Sequence, residues 1–259
     1  MFEYERIEKD SSIRITGYHG ADKKVEVPDI LNGLPVTEIG PYAFSGSDIT
    51  LLDLPASIRR MGRYALYNCS DLQEFCFFNT LTDFGAGSFT GCHRIQKIRI
   101  EFMENETSYL RDVLMEIPEE LLVEYHFHGK TASLLFPEYY EEGVENTPAR
   151  IIESHTHGSG LLYRNCFVNR KLQFAEYDKR FPYAIGQEHL HFLFRLCMER
   201  LTYPYELTAT AKEAYEKFLK EHFSQALDHY TAQKDQAAIS FLMTLHHRKN
   251  TAAKLEFDL

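Results

Sequence analysis

A segment of 22 or 23 residues recurs in the first half of the sequence and constrains the fold more than any other feature. Gly40, Gly62 and Gly85 mark equivalent points of three copies, at spacings of 22 and 23 residues. Each copy continues into a small polar turn and then an apolar-x-x-apolar-x-apolar phrase typical of a strand with one buried face. A single coil of this length cannot bury its own apolar edge, so successive coils must stack. The sequence therefore predicts a short β-solenoid.

The repeat also predicts which side chains face inward and which face solvent. Phe44, Leu66 and Phe89 occupy the same position of successive copies and are expected to fill the interior. The side chains between the inward strand positions should form two exposed columns, which are Lys24, Leu51, Glu74, Lys97 and Glu26, Asp53, Cys76, Arg99. Two interpretations are open, a docking face for a partner and a solvated face of mixed charge.

At these residues the stretch 13–100 resembles the BspA-like leucine-rich repeats, whose units read as a strand ending in Ile-Pro and then Val-x-x-Ile-Gly-x-x-Ala-Phe-x-x-Cys. The segments 15–18 and 32–36 resemble the first coil of that family. The resemblance covers roughly a third of the chain. It implies a right-handed solenoid, here of about four coils, that binds other macromolecules and has no catalytic activity. Many such proteins are secreted or surface-bound, whereas this sequence shows no export signal.

The rest of the chain predicts two further domains, which makes the whole an α+β protein. Residues 1–103 form the predicted repeat domain, 104–183 a small α+β module and 184–259 an α-helical hairpin array. In the module we expect a helix over 108–117, a β-hairpin over 121–136 and a strand over 150–156, with an acidic, turn-rich stretch at 139–146.

Amphipathic periodicity predicts three to four helices after residue 187. Pro204 should end the first, and Thr210 with Glu213 offers a capping box for a second helix that extends to Leu227. A third helix is expected over 235–247 and a short fourth from residue 251. The last residues carry an apolar pattern that a partner could cover, consisting of Leu255, Phe257 and Leu259.

Charge and cysteine content exclude several classes of partner. Lys and Arg number 28 against 38 Asp and Glu, a net charge of −10, so nucleic acid and anionic membranes are not expected as partners. No apolar stretch is long enough to span a membrane, and we expect a cytoplasmic location.

The cysteines number five, without CxxC spacing, and are predicted to be free thiols. Cys69 and Cys92 should lie on adjacent coils.

Two histidine pairs raise an alternative function. His126 and His128, and likewise His155 and His157, are each spaced to share one face of a strand. If these strands paired, four imidazoles together with Glu124 and Glu153 could bind a divalent metal, and the protein would be a metal-dependent hydrolase. The other interpretation places these histidines on the wet side of a half-buried sheet. We expect no cofactor and no metal.

No other catalytic motif is present. The sequence lacks a Gly-rich phosphate loop and a nucleophile elbow. The leading hypothesis is a non-catalytic scaffold or adaptor that binds another protein. The layout faintly resembles bacterial cytoplasmic proteins that accompany MoxR-type ATPases and von Willebrand A-type proteins, which suggests those two classes as partners.

Overall fold

The computed structural model describes residues 1–9, 11–146 and 151–255. Within it the chain divides into two compact units, Met1–Gln173 and Phe174–Leu259. The predicted division at residues 103 and 183 into three domains stays a prediction.

Strands dominate the first unit. Its described strands are β1 (Phe2–Ile7), β2 (Ser12–Tyr18), β3 (Lys24–Glu26), β4 (Ile30–Leu31), β5 (Leu34–Ile39), β6 (Leu51–Asp53), β7 (Arg60–Met61), β8 (Glu74–Phe78), β9 (Asp83–Phe84), β10 (Lys97–Phe102), β11 (Leu121–Phe127), β12 (Lys130–Phe136), β13 (Tyr140–Asn146), β14 (Ile151–His157), β15 (Phe167–Val168) and β16 (Lys171–Leu172). Its described helices are α1 (Leu110–Met115) and α2 (Gly160–Arg164).

The predicted solenoid is confirmed. On one side of the coils the strands β3, β6, β8, β10 and β11 pair in parallel, in that spatial order, and we call this sheet the rung sheet. It has five parallel rungs, one more than the predicted four coils, because β11 continues the sheet after α1. The strand β12 pairs antiparallel with β11, as the predicted hairpin requires, and is the last strand at that edge of the sheet.

A second sheet lies on another side of the coils, in the order β1, β2, β5, β7 and β9, with β4 paired to β5. The repeated glycine follows β5, β7 and β9, at a point where adjacent coils approach closely. A Cβ atom on Gly62 would lie 2.4 Å from the Pro41 nitrogen, and one on Gly85 would lie 2.3 Å from the Arg63 nitrogen. Glycine is therefore required there because the backbones leave no room for a side chain.

The interior of the solenoid is filled as predicted. Phe44 is 1% exposed, Leu66 is fully buried and Phe89 is 3% exposed. Beside them, Cys69 donates through its thiol to the Phe44 carbonyl and Cys92 donates to the Leu66 carbonyl, one coil further on. All five cysteines are buried free thiols. The hydrogen bond with Cys69, together with burial, raises the pKa of Cys92, so this thiol stays protonated at neutral pH.

We expect Cys69 and Cys92 to react slowly with a thiol reagent in the folded protein and fully after unfolding, because only an exposed thiolate is a good nucleophile. Mass spectrometry of peptides labelled with iodoacetamide before and after denaturation would measure both rates. Rapid labelling of either residue in the folded state, or a disulfide joining the two, would contradict the shielded position.

The turns between the two sheets are joined by a ladder of backbone hydrogen bonds from coil to coil. The amides of Tyr64 and Leu66, for example, donate to carbonyls of the following coil. On the last coil the carboxylate of Glu116 replaces those carbonyls, accepting from the Gly87 amide at 2.7 Å and from the Phe89 amide at 3.1 Å. Glu116 therefore caps the C-terminal end of this ladder.

A buried arginine joins the segments that follow the solenoid. Arg164 of α2 is fully buried and donates to the backbone carbonyls of Leu114, Ile117 and Glu119 at 2.7–2.9 Å. Its remaining nitrogen donates to the carbonyls of Pro137 and Gly160. Burial lowers the pKa of Arg164 to about 10, so the guanidinium is still charged at neutral pH. One side chain thus holds the ends of α1, β12 and α2 together.

The module predictions are only partly confirmed. The helix predicted over 108–117 is α1, and the strand predicted over 150–156 is β14. The stretch 139–146, expected to be turn-rich, instead contains β13, which pairs antiparallel with β14. The prediction failed because antiparallel pairing is made by backbone hydrogen bonds, and these form without an apolar alternation in either strand.

The second unit is helical. Its described helices are α3 (Phe174–Asp178), α4 (Phe181–Ile185), α5 (Leu190–Thr202), α6 (Ala209–Glu221), α7 (Phe223–Gln233) and α8 (Gln236–Leu255). At its centre Arg200 forms a bidentate pair with Asp178, both bonds measuring 2.9 Å, and the Tyr215 hydroxyl donates to the same carboxylate at 2.8 Å. These partners satisfy the buried charges.

Three helix predictions need correction. The N-cap of α6 is Thr208, whose hydroxyl accepts from the Ala211 amide, and not Thr210. The helix predicted to extend to Leu227 ends at Glu221, and α7 begins at Phe223 after the non-helical residue His222. The predicted third and fourth helices are one helix, α8. Of the apolar pattern at the end of the sequence, Phe257 and Leu259 lie outside the described residues.

Candidate protein-docking face

The outer face of the rung sheet brings the predicted columns together in register. Lys24, Leu51, Glu74 and Lys97 are direct neighbours on successive rungs. The second column, in the same register, is Glu26, Asp53, Cys76 and Arg99. Lys24 and Glu26 are exposed, while the other predicted docking residues are half-buried, namely Leu51, Asp53, Glu74, Lys97 and Arg99.

Lys97 of the first column forms ion pairs with two carboxylates, one in its own column and one on β11. The Lys97 ammonium lies 3.5 Å from a Glu74 carboxylate oxygen and 2.8 Å from one of Glu124. Burial lowers the pKa of Lys97, but its hydrogen bond to Glu124 and the charge of Glu74 raise that pKa above its ordinary value. Lys97 therefore stays charged and fixes two carboxylates on the face.

In the second column an ion pair reaches across a rung. Arg99 Nη2 lies 2.6 Å from Asp53 Oδ2, although Cys76 on β8 separates the two in the sheet. Burial raises the pKa of Asp53, and the charge of Arg99 acts in the opposite direction. Cys76, predicted to be exposed, is only 1% exposed, because the neighbouring long side chains cover it. Burial also raises its thiol pKa to about 12.

The face extends beyond the residues that the sequence predicted. Leu122 and Glu124 of β11 pair with Lys97 and Arg99 and continue the two columns by one rung. The sequence signal for this fifth rung was the alternation of the buried residues Leu121, Val123 and Tyr125 with the residues between them. The loss of the 23-residue period after β10 concealed it, since α1 lies between the fourth and fifth rungs.

The predicted metal site does not assemble as proposed. The strand of His126 pairs with β10 and β12, whereas the strand of His155 and His157 pairs with β13, so the pairing that would unite the four histidines is wrong. His128 lies in the turn after β11, with a positive φ of 49°. Within the described residues no three His, Cys, Asp or Glu side chains are grouped to hold a metal ion.

The individual histidines have local partners instead. His126 Nδ1 lies 3.2 Å from the Thr131 hydroxyl on β12. The His157 ring stacks on Tyr140 at 4.5 Å, and its Nε2 lies 3.3 Å from a Glu142 oxygen. Glu153, the second proposed carboxylate, has no described side chain. The hydrolase hypothesis therefore has no support from the described geometry.

Comparison with known proteins addresses the repeat directly. Residues 23–110 match the family model for the BspA type leucine rich repeat region, in six copies. This segment is similar to the BspA-type leucine-rich repeats. The match covers the rungs β3, β6, β8 and β10, and therefore every predicted docking residue. The resemblance stated from the residues is confirmed over this segment of the chain.

The similar solved structures include leucine-rich repeat proteins from bacteria. A leucine rich cell surface protein from Faecalibacterium prausnitzii is 20% identical, with a TM-score of 0.33, and the match covers 41% of this chain and 29% of that one. A leucine-rich repeat protein from Bacteroides ovatus is 23% identical, with a TM-score of 0.35, over 38% of this chain and 30% of that one. This chain thus spans less than a third of the length of either. No functional conclusion follows from these likenesses.

Two further comparisons are negative. No curated protein matches the chain. Among the helices in the described ranges, none is both long and apolar enough to cross a bilayer.

Proposed function

We propose that the protein is a non-catalytic scaffold that binds another protein through the outer face of its BspA-type rung sheet. The observation that supports this most is the in-register alignment of the two columns on five rungs. Stacked rungs hold side chains at fixed positions on a rigid sheet, so a partner can dock without ordering them first. Leucine-rich repeat proteins commonly bind other proteins, so the repeat match also supports a protein partner.

The charges of the face determine what it would present to that partner. Asp53, Glu74 and Glu124 alternate with Lys97 and Arg99, so a partner with the opposite alternation is favoured and one with uniform charge is not. Half-buried charges at the centre of an interface can be worth about 2 kcal/mol or more, while scattered surface charges are worth less than about 1 kcal/mol.

Exchanging the two charges of the Asp53–Arg99 ion pair tests whether the outer face of the rung sheet binds the partner. In the double variant Asp53→Arg with Arg99→Asp the pair can still form, so the melting temperature should change little, while the pattern offered to a partner is inverted. We expect capture of the partner from a lysate of the source organism to fall at least tenfold, measured by quantitative mass spectrometry. The affinity of the identified, purified partner would then be measured by calorimetry.

Two controls belong to this experiment. The same exchange at Asp71 and Arg94, an exposed pair 2.8 Å apart outside the rung sheet, should leave capture unchanged. His126→Ala combined with His155→Ala should also leave capture unchanged. Undiminished capture by the Asp53 and Arg99 exchange, with loss in the histidine variant, would contradict the proposed face and place the site in the middle module.

The proposal extends to the partner class and the compartment. The partner we expect is a MoxR-type ATPase or a von Willebrand A-type protein, and the compartment is the cytoplasm, where the buried free thiols stay reduced. Recovery of either protein class in the capture experiment would support this extension, and recovery of only extracellular proteins would contradict it.

A further inference from the structure

A cluster of three tyrosines lies on the turns between the two sheets of the solenoid, on a different face from the proposed docking columns. The rings of Tyr42 and Tyr64 stack with centroids 5.3 Å apart, and Tyr67 meets both edge-on at about 6 Å. Tyr42 is 54% exposed, and the other two rings are half-buried. None of the three hydroxyls has a hydrogen-bond partner in the described part of the chain. We call these residues the tyrosine face.

The backbone at this face is unfavourable for tyrosine. Tyr42 and Tyr64 have φ angles of 60° and 59°, in the left-handed region that non-glycine residues rarely adopt. The equivalent residue of the next coil is Gly87, with φ 74°, and the Tyr64 ring lies so close over it that a Cβ would be 2.3 Å from Cε1. Glycine would relieve the strain at positions 42 and 64 as it does at 87, yet two aromatic rings are held there.

The surroundings resemble a binding surface in composition. The same turns also expose several small polar residues, namely Ser45, Gly46, Asn68, Ser70 and Thr90. Tyrosine supplies a large and rigid contact area, and serine, glycine and asparagine supply adaptable hydrogen bonding, a combination that antibody binding loops also use. The coil-to-coil hydrogen bonds hold these turns in place before any partner arrives.

An unpaired arginine gives this face its charge preference. Arg63 precedes Tyr64, its carbonyl accepts from the Tyr42 amide, and its exposed guanidinium has no ion-pair or hydrogen-bond partner among the described residues. Arg94 and Arg99, by contrast, are each paired with an aspartate. An exposed guanidinium without a partner in the described ranges, on the residue next to Tyr64 in the chain, offers donors to a carboxylate. The net charge of −10 repels a uniformly acidic chain, so one or two carboxylates suit the face better than a long run.

We propose that the tyrosine face, with Arg63, is a second docking surface that binds a protein segment presenting a carboxylate next to an apolar or aromatic side chain. The rings would cover the apolar group, and Arg63 would pair with the carboxylate. This surface is independent of the rung-sheet columns, so either proposal can fail without the other.

Selection of displayed random dodecapeptides on the full chain tests the proposal. Peptides would be counter-selected on the double variant Tyr42→Gly with Tyr64→Gly, which removes the rings while allowing the same backbone as Gly87. We expect the enriched peptides to contain Asp or Glu within a few residues of an aromatic residue or proline. Circular dichroism would verify that the glycine variant is folded.

Binding of one enriched synthetic peptide then separates the contributions. We expect its Kd to rise at least tenfold in Tyr42→Gly with Tyr64→Gly and again in Arg63→Glu. Arg6→Glu, at another exposed arginine of the solenoid unit, is the matched control and should leave the Kd unchanged, as should the Asp53 and Arg99 exchange. Enrichment of basic peptides, equal binding by the glycine variant, or no enrichment at all would overturn the proposal.

Discussion

Replacing Arg164 with methionine is expected to lower the free energy of unfolding by about 4 kcal/mol or more, since it leaves several buried carbonyls without a donor. Five backbone carbonyls accept from this one guanidinium, and they belong to α1, the turn after it, the residue that follows β12, and α2. Methionine preserves the apolar stem but supplies no donor. Lysine should recover only part of the loss, because a single ammonium cannot reach all of these acceptors at once.

Urea denaturation followed by circular dichroism measures this effect, since the absence of tryptophan rules out its fluorescence as a probe. Arg94→Met is the control, because that side chain is 66% exposed and its ion pair with Asp71 lies at the surface. The control should cost less than about 1 kcal/mol. Equal stabilities of the two variants would show that Arg164 does not hold the segments together.

Phe44→Ala and Phe89→Ala are each expected to cost about 3–5 kcal/mol, the usual effect of emptying a large site in a packed core. The Phe44 ring contacts Phe2 and Tyr18, and the Phe89 ring contacts Phe75 and Phe84. These rings cannot move into the space left behind without leaving their own positions in the stack. Both variants would be compared with the parent by equilibrium denaturation.

A half-exposed phenylalanine of the same solenoid provides the reference for this pair. Phe78 lies at the end of β8 and is not fully buried, so Phe78→Ala should cost less than half as much. If Phe44→Ala and Phe89→Ala both unfold within about 0.5 kcal/mol of the parent, the stacked interior does not carry the stability assigned to it.

The repeat made the solenoid and its register predictable. Because side chains alternate between faces along a strand, a slip of one residue would move Leu52, Phe75 and Ile98 out of the core, so only one register is compatible with the pattern. The columns followed from that register. The ion pairs within the columns could not be predicted from the register. Arg99 reaches across Cys76 to Asp53, and that contact depends on the length and direction of the side chain and not on the period of the repeat.

Other elements carried no usable signal. The strand β13 contains no apolar alternation in its sequence, although its backbone pairs antiparallel with β14. In the helical unit the capping-box rule favoured Thr210, since Glu213 follows it by three residues, whereas the N-cap is Thr208, which has no such glutamate. The break at His222 has no proline or glycine to announce it, although the residue has non-helical angles there, φ −109° and ψ 27°. Such breaks are set by packing between helices.

The cap formed by Glu116 has a consequence for how the solenoid is kept finite. A stack of coils is open-ended, and the unused amides of its last turn could recruit the edge of another molecule and begin a fibre. Glu116 occupies the amides of Gly87 and Phe89 within the same chain and so prevents that growth. Since the carboxylate imitates the carbonyls of a following coil, duplication of a 23-residue unit upstream would leave the cap functional, and the protein could lengthen in evolution without becoming prone to assembly.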